Sequence, residues 1–182
     1  YGDDGRKAAS PLLSGATRIT KYDVLSRETA MSIGGLTRNI AYLNVSGNRT
    51  TTLPSSVTYQ YGNNASFVTS YTYDVLGNIS TMTVDGVKYT YTYDALNQLK
   101  SVSSDETGNN LYTAEYTYDN GGNILSVTKN GTTVKSYAYN NTEWKDLLTS
   151  YNGNSITYDD IGNPLNYYDG STFTWSDGRK LT

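Results

Sequence analysis

The chain has 182 residues, 36% of them hydrophobic, with 19 tyrosines against 2 phenylalanines and 2 tryptophans, and a mean hydropathy of −0.57. Tyrosine joins an apolar ring to a hydroxyl that needs a partner, so this composition predicts a thin, partly wet layer and excludes a thick oily core. With 14 basic against 17 acidic residues, a net charge of −3 and neither Cys nor His in the composition, it also excludes a basic stripe for nucleic acid or anionic membrane, disulfides, and the commonest general base and metal ligand.

No stretch approaches the roughly 20 apolar residues that span a bilayer, so membrane insertion is not expected. The N-terminus lacks the basic and apolar blocks of a signal peptide, and any export signal is expected outside this segment. No cofactor is implied.

In chain order, the sequence opens on Tyr1-Gly2-Asp3-Asp4-Gly5-Arg6, which reads as a repeat already at its turn, with Gly2 where Asp is expected. Tyr22-Asp23-Val24-Leu25-Ser26-Arg27 is a second copy with Ser26 in the glycine position, and Tyr42 leads to a further turn at Gly47-Asn48. Leu53-Pro54-Ser55-Ser56 marks a break or an edge strand, because proline cannot donate to a ladder. Tyr59-Gln60-Tyr61-Gly62 reads as another copy, close enough to the next to predict a hairpin with a short arm.

The pattern then becomes regular. Tyr71-Thr72-Tyr73-Asp74-Val75-Leu76-Gly77-Asn78-Ile79 returns as Tyr91 to Leu99, with Tyr93 and Asp94 in place, as Tyr116 to Ile124, with Tyr118, Asp119 and Gly122, and in shorter form as Tyr158-Asp159-Asp160-Ile161-Gly162. Tyrosines separated by one residue lie on the same face of a strand. Asp bonding its own backbone two residues on, followed by a residue tolerant of left-handed backbone, predicts a bulged turn. The β-branched runs Ile79 to Val84, Leu99 to Val102 and Ile124 to Thr128 predict the returning strands, so each box is the tip of a β-hairpin.

Asp85-Gly86, Asn130-Gly131, Asn152-Gly153 and Asp169-Gly170 predict tight turns at the other end. The resulting fold class is all-β: antiparallel hairpins side by side in one long curved or spiralling sheet. Residues 1–182 form a single array, degenerate over 1–70 and regular over 71–182. Ser104 to Asn110 is an inserted loop, and Asn140 to Leu148 is either a helical turn capped by Thr142 or a long turn packing Trp144 and Leu148 on the sheet. The last unit keeps the alternation, with Phe173 and Trp175 replacing the two tyrosines.

Several of these residues carry candidate chemistry. The recurring aspartates could be catalytic carboxylates or calcium ligands, but their shared turn corner points to capping, and no catalytic or metal residue is assigned. Tyr73, Tyr93, Tyr118, Tyr139 and Tyr158 predict an aromatic ladder, with successive rings about 9.6 Å apart if two strands separate them. Exposed rings also stack on sugars, and Trp144, Tyr167, Tyr168 and Trp175 are the candidate glycan-binding residues. Sequons at Asn44, Asn48, Asn64, Asn78, Asn130 and Asn140 are candidate glycosylation sites, close to chance number for a chain this rich in Asn, Ser and Thr.

The boxes resemble the YD repeat, also called the RHS repeat, of bacterial RHS proteins, the C component of insecticidal toxin complexes and the animal teneurins. The family box reads roughly Tyr-x-Tyr-Asp-x-x-Gly-Arg-Leu. The chief departure is Asn78, Asn123 and Asn163, with Gln98, in the arginine position, which Arg27 and Arg179 keep. The resemblance implies a non-enzymatic structural segment of a large secreted or cell-surface protein, its hairpins forming a shell around a toxin domain. Proline occurs only at positions 11, 54 and 164, never after Asp, so the self-cleaving Asp-Pro end of the family is not expected in this chain.

Open sheet edges recruit strands. The expected partners are therefore neighbouring repeats of a longer chain, or identical copies joined into a fibre, together with an enclosed toxin domain or carbohydrate. A self-associating extracellular fibre and a carbohydrate-binding adhesive module are the alternative functions.

Overall fold

A computed structural model describes residues 9–11, 15–45 and 49–182. The opening box at Tyr1 to Arg6, the turn at Gly47-Asn48 and the candidate glycosylation site Asn48 lie outside the described residues. The strands are β1 (Ala9–Pro11), β2 (Thr17–Tyr22), β3 (Glu28–Ile33), β4 (Leu36–Val45), β5 (Arg49–Tyr61), β6 (Phe67–Tyr73), β7 (Ile79–Val84) and β8 (Val87–Tyr93). They continue as β9 (Leu99–Ser104), β10 (Thr113–Tyr118), β11 (Ile124–Lys129), β12 (Thr132–Ala138), β13 (Ser150–Tyr151), β14 (Asn154–Ser155), β15 (Trp175–Ser176) and β16 (Lys180–Leu181).

The chain divides into two compact units, Tyr1–Thr90 and Tyr91–Thr182. Strand order follows chain order without a crossover, β1 to β8 in the first unit and from the end of β8 to β14 in the second, and β15 and β16 form a ladder of their own. The hairpin β6–β7 shows how the box works. Tyr71 lies opposite Met82 and Tyr73 opposite Ile79, with a one-residue register shift before Tyr73. The same shift precedes Tyr22, opposite Glu28, and Tyr118, opposite Ile124. An extra residue at this place strengthens the local twist and turns the last tyrosine.

Alternation sorts the two faces. Thr72, between the box tyrosines, points away from them, and its Oγ1 lies 2.6 Å from Thr81 Oγ1 across the hairpin. Thr92 and Ser101 repeat the contact at 2.6 Å, and Thr117 and Ser126 at 2.7 Å. One face therefore carries paired hydroxyls and the other the rings. In the second unit Val102, Ala114 and Val127 are buried. Val127 lies opposite Tyr116 and Ala114 opposite Val102, which places this small core on the tyrosine face.

Two sequence expectations change, at Pro54 and Tyr61, and one open alternative, at Asn140 to Leu148, resolves to the long turn. Pro54 is neither a break nor on an edge strand: it lies within β5, which pairs with β4 and β6, and it sits opposite Tyr42 where register shifts leave its missing N–H without a ladder partner to lose. Tyr61 is not a box tyrosine. It lies opposite Leu36 at the far end of β5, where Gly62 N donates to Gly35 O at 3.0 Å, so the short interval reflects a turn at the opposite end and not a short arm. Asn140 to Leu148 holds no helix. Asn141 Oδ1, not Thr142, accepts from Glu143 N at 2.9 Å and Trp144 N at 2.8 Å, fixing a long turn. The inserted loop contributes one short 3-10 turn, Gly108–Asn110.

The glycine position of the box has left-handed backbone, with φ 87° at Gly77 and 84° at Gly162. A Cβ on Gly77 would meet nothing within 4 Å, whereas one on Gly162 would lie 2.5 Å from Trp144 Cζ3. Gly77→Ala is therefore expected to cost only backbone strain, about 1 to 2 kcal/mol. Gly162→Ala is expected to cost more and to shift tryptophan fluorescence, which urea unfolding of both variants, followed by fluorescence, will show.

Candidate functional site

The recurrent turn is the candidate site. In each box the aspartate Oδ1 accepts two backbone N–H groups, from the second and fourth residues after it. For Asp74 these are Leu76 and Asn78, both at 2.9 Å; for Asp94, Leu96 and Gln98, both at 2.9 Å. Asp119 takes Gly121 at 2.8 Å and Asn123 at 2.9 Å, Asp159 takes Ile161 at 3.1 Å and Asn163 at 2.8 Å, and Asp23 takes Leu25 at 2.9 Å and Arg27 at 3.0 Å. The aspartate's own N–H donates to the carbonyl of that fourth residue, at 2.9 Å in Asp74 and Asp94. The carboxylate closes the loop that the backbone opens.

The second oxygen explains the departure from arginine. Asn78 and Asn123 donate Nδ2 to Oδ2 of Asp74 and Asp119 at 2.9 Å, and Asn163 does so to Asp159 at 2.7 Å. Arg27 Nε reaches Asp23 Oδ2 at 2.7 Å. An amide or a guanidinium nitrogen satisfies the same acceptor. The side chain then reaches onward: Arg27 to Thr51 O and, at 2.8 Å, to Thr50 Oγ1, Asn123 to Lys145 O at 3.4 Å, and Asn163 to Gly178 O at 2.6 Å. Arg27 also lies 4.1 Å from the centre of the Tyr42 ring, a cation–π contact. In these three boxes the fourth residue thus ties its own turn to the segment that follows.

The second tyrosine of a box ties it to the preceding hairpin. Tyr42 OH donates to Glu28 O at 2.8 Å, and Glu28 lies opposite Tyr22. Tyr73 OH donates at 2.7 Å to Pro54 O, the residue opposite Tyr42. Tyr118 OH reaches Leu99 O and Tyr158 OH reaches Leu148 O, each at 2.8 Å. Trp175 follows the same rule with its indole, Nε1 donating at 2.7 Å to Pro164 O, opposite Tyr158. Three of these acceptors, Glu28, Pro54 and Pro164, lie opposite the ring residue of the preceding box.

Protonation states agree with these roles. The side-chain bond from Asn78 holds the Asp74 carboxyl below its ordinary value of 3.8, as Asn123 does for Asp119 and Arg27 for Asp23. Desolvation works against Asp159, but the backbone and side-chain bonds from Asn163 still bring it below 3.8. Burial raises the phenols of Tyr73, Tyr118, Tyr139 and Tyr158 above 10.0, keeping them as donors.

The predicted glycan-binding residues do not form one platform. Trp175 is half-buried and committed to Pro164. Tyr168 packs on Tyr151 with ring centres 4.5 Å apart and on Tyr167 at 4.7 Å. Trp144 lines a cleft of about 490 Å³ together with Glu143, Asp160 and Gly162. Of the candidate glycosylation sites, Asn44, Asn64, Asn130 and Asn140 are exposed, whereas Asn78 latches Asp74. Sequence reasoning missed the fourth residue's double duty and the carbonyl acceptors. The constant spacing from Asp to Asn or Arg was the available signal.

Residues 27–175 match the family model described as Teneurin YD-shell. No curated protein matches the chain. Among solved structures it is similar to TcdB2-TccC3-Cdc42, with a TM-score of 0.59, and to the Photorhabdus luminescens Tc holotoxin pore, with 0.60. It is also similar to TcdB2-TccC3 without its hypervariable C-terminal region, with a TM-score of 0.59. In each case identity is 16%, and the match covers 92% of this chain but only 9% of the other. At that identity the likeness is one of fold.

Two outcomes are expected. Tyr118→Phe keeps the ring and removes one hydrogen bond, and chemical denaturation should show a loss of about 1 kcal/mol. Because the latch carboxyls lie below 3.8 when folded, their contribution is present above that pH and is lost as pH falls through the folded values. Thermal melts should therefore drop steeply below about pH 4, and Asp74→Asn should flatten that drop.

Proposed function

Because the chain belongs to the Teneurin YD-shell family, we propose that it forms part of the wall of a much longer secreted or cell-surface protein whose shell encloses a toxin domain. As a member of that family it is a structural YD-repeat segment. It spans 9% of the length of the similar toxin-complex chains, so the enclosing role belongs to the parent and not to this piece. The observation that carries the reading is the tie between hairpins: phenol to preceding carbonyl, and fourth-residue side chain to following carbonyl. Such ties make each hairpin a course in a wall.

A non-enzymatic role belongs to the same reading. Each box carboxylate is occupied by its own turn, through Oδ1 in all five and through Oδ2 in four, which leaves it poorly placed to shuttle protons. Electron microscopy of the intact parent should show a hollow particle, with the domain encoded beyond the repeats resistant to protease until the shell is denatured. A filament, or a domain that protease digests equally fast before and after denaturation, would overturn the enclosing role.

Carbohydrate adhesion is a second reading, favoured by Trp144, 46% exposed in its cleft. Stacking on a sugar face with Glu143 and Asp160 as hydroxyl acceptors suits that arrangement. Glycan-array binding that Trp144→Ala abolishes would support it; no binding by the unmodified chain would end it.

A further inference from the structure

Three Asn-Gly steps occur in the chain, at 120, 130 and 152. Two of them sit in equivalent tight turns, with φ 46° at Asn130 and 79° at Gly131, and 50° at Asn152 and 80° at Gly153. Each asparagine clasps the preceding hairpin. Asn130 N donates to Thr113 O at 3.0 Å while its Oδ1 accepts from Thr113 N at 2.7 Å. Asn152 N donates to Ser136 O at 2.8 Å, and its Oδ1 accepts from Ser136 N at 2.8 Å.

The clasps differ in two bonds, the first being that Thr113 Oγ1 also donates to Asn130 Oδ1, at 3.3 Å. Asn130 Nδ2 donates to Leu111 O at 2.9 Å, whereas among the described residues Asn152 Nδ2 has no acceptor. The hairpins differ as well. The turn at Asn152 closes only two residue pairs, Ser150 with Ser155 and Tyr151 with Asn154. The turn at Asn130 closes a ladder that runs from Lys129–Thr132 to Ser126–Ser136. At the third step, Gly121 N is held by Asp119 Oδ1 at 2.8 Å, so its attacking nitrogen is tied in a different way.

We propose that Asn152 is the site at which this chain deamidates first, and that the amide clasp on Leu111 O protects Asn130. In the reaction, Gly153 N gives up its proton to hydroxide and attacks Asn152 Cγ. A C–N bond forms, the Cγ–Nδ2 bond breaks, and Nδ2 takes a proton from water and leaves as ammonia. Water then opens the succinimide at either carbonyl, giving aspartate or isoaspartate without any oxidant or cofactor. Before attack, the side chain must swing off its clasp and the tight turn must open. Asn152 breaks one side-chain bond and two residue pairs to do so; Asn130 breaks three side-chain bonds within a longer ladder.

The consequence is local. Isoaspartate adds a methylene to the backbone of a turn with no slack, so the β13–β14 pairing loosens first. Tyr151, the adjacent residue, then loses its fixed contact with Tyr168, whose ring centre is 4.5 Å away.

The test is to age the folded chain at mildly alkaline pH and map isoaspartate at both sites by peptide mass spectrometry and isoaspartyl methyltransferase labelling. Synthetic peptides covering 126–134 and 148–156 supply the intrinsic rates. After normalisation to them, isoaspartate at Asn152 is expected to accumulate at least about fivefold faster than at Asn130, the worth of one hydrogen bond. Equal rates, or Asn130 ahead, would overturn the proposal.

Discussion

Five carboxylates hold this structure in register. Each box aspartate accepts the two N–H groups that a bulged turn would otherwise leave to solvent, and in doing so fixes where one strand ends and the next begins. A one-residue slip would move every tyrosine to the hydroxyl face. The turn therefore decides the sheet. Among the described residues buried apolar side chains are few, so the position of each strand cannot be left to packing alone.

Built on that register, the ties between hairpins use groups the ladder does not. The bulge before the second tyrosine turns its phenol toward a carbonyl opposite the previous box tyrosine, as Tyr73 does at Pro54 and Tyr42 at Glu28. Trp175 shows that the constraint is a ring with a terminal donor and not tyrosine itself. Arg27, Asn123 and Asn163 show the same tolerance on the other side of the turn, where a guanidinium and an amide do one job. Rings here act as much through their polar ends as through their apolar faces.

Much of the fold was legible because its signals are short-range. Tyr-x-Tyr-Asp-x-x-Gly states two strand faces and a reversal within seven residues, and Asp85-Gly86 or Asn152-Gly153 states the opposite reversal in two. What escaped reading depends on pairing between distant residues. Tyr61 carries the local motif, yet its place opposite Leu36 puts it at the wrong end of the strand. Pro54 looks like a break until the bulge opposite Tyr42 is known. Of the candidate glycan-binding residues, Trp175 takes the box tyrosine's bond to a backbone carbonyl, as its place in the alternation implied, while the open face of Trp144 depends on a long turn whose cap is Asn141.

The aspartate latch is the contact on which the register rests. Native-state amide exchange at Asn78, Gln98, Asn123 and Asn163 reads it directly, since each N–H has a carboxylate oxygen within 2.9 Å as its acceptor. These amides should exchange slowly despite lying in surface turns, and replacing Asp119 by Ala should release the Asn123 amide. Exchange at the rate of an open loop in the unmodified chain would contradict the latch, and with it the register of the five turns that carry it.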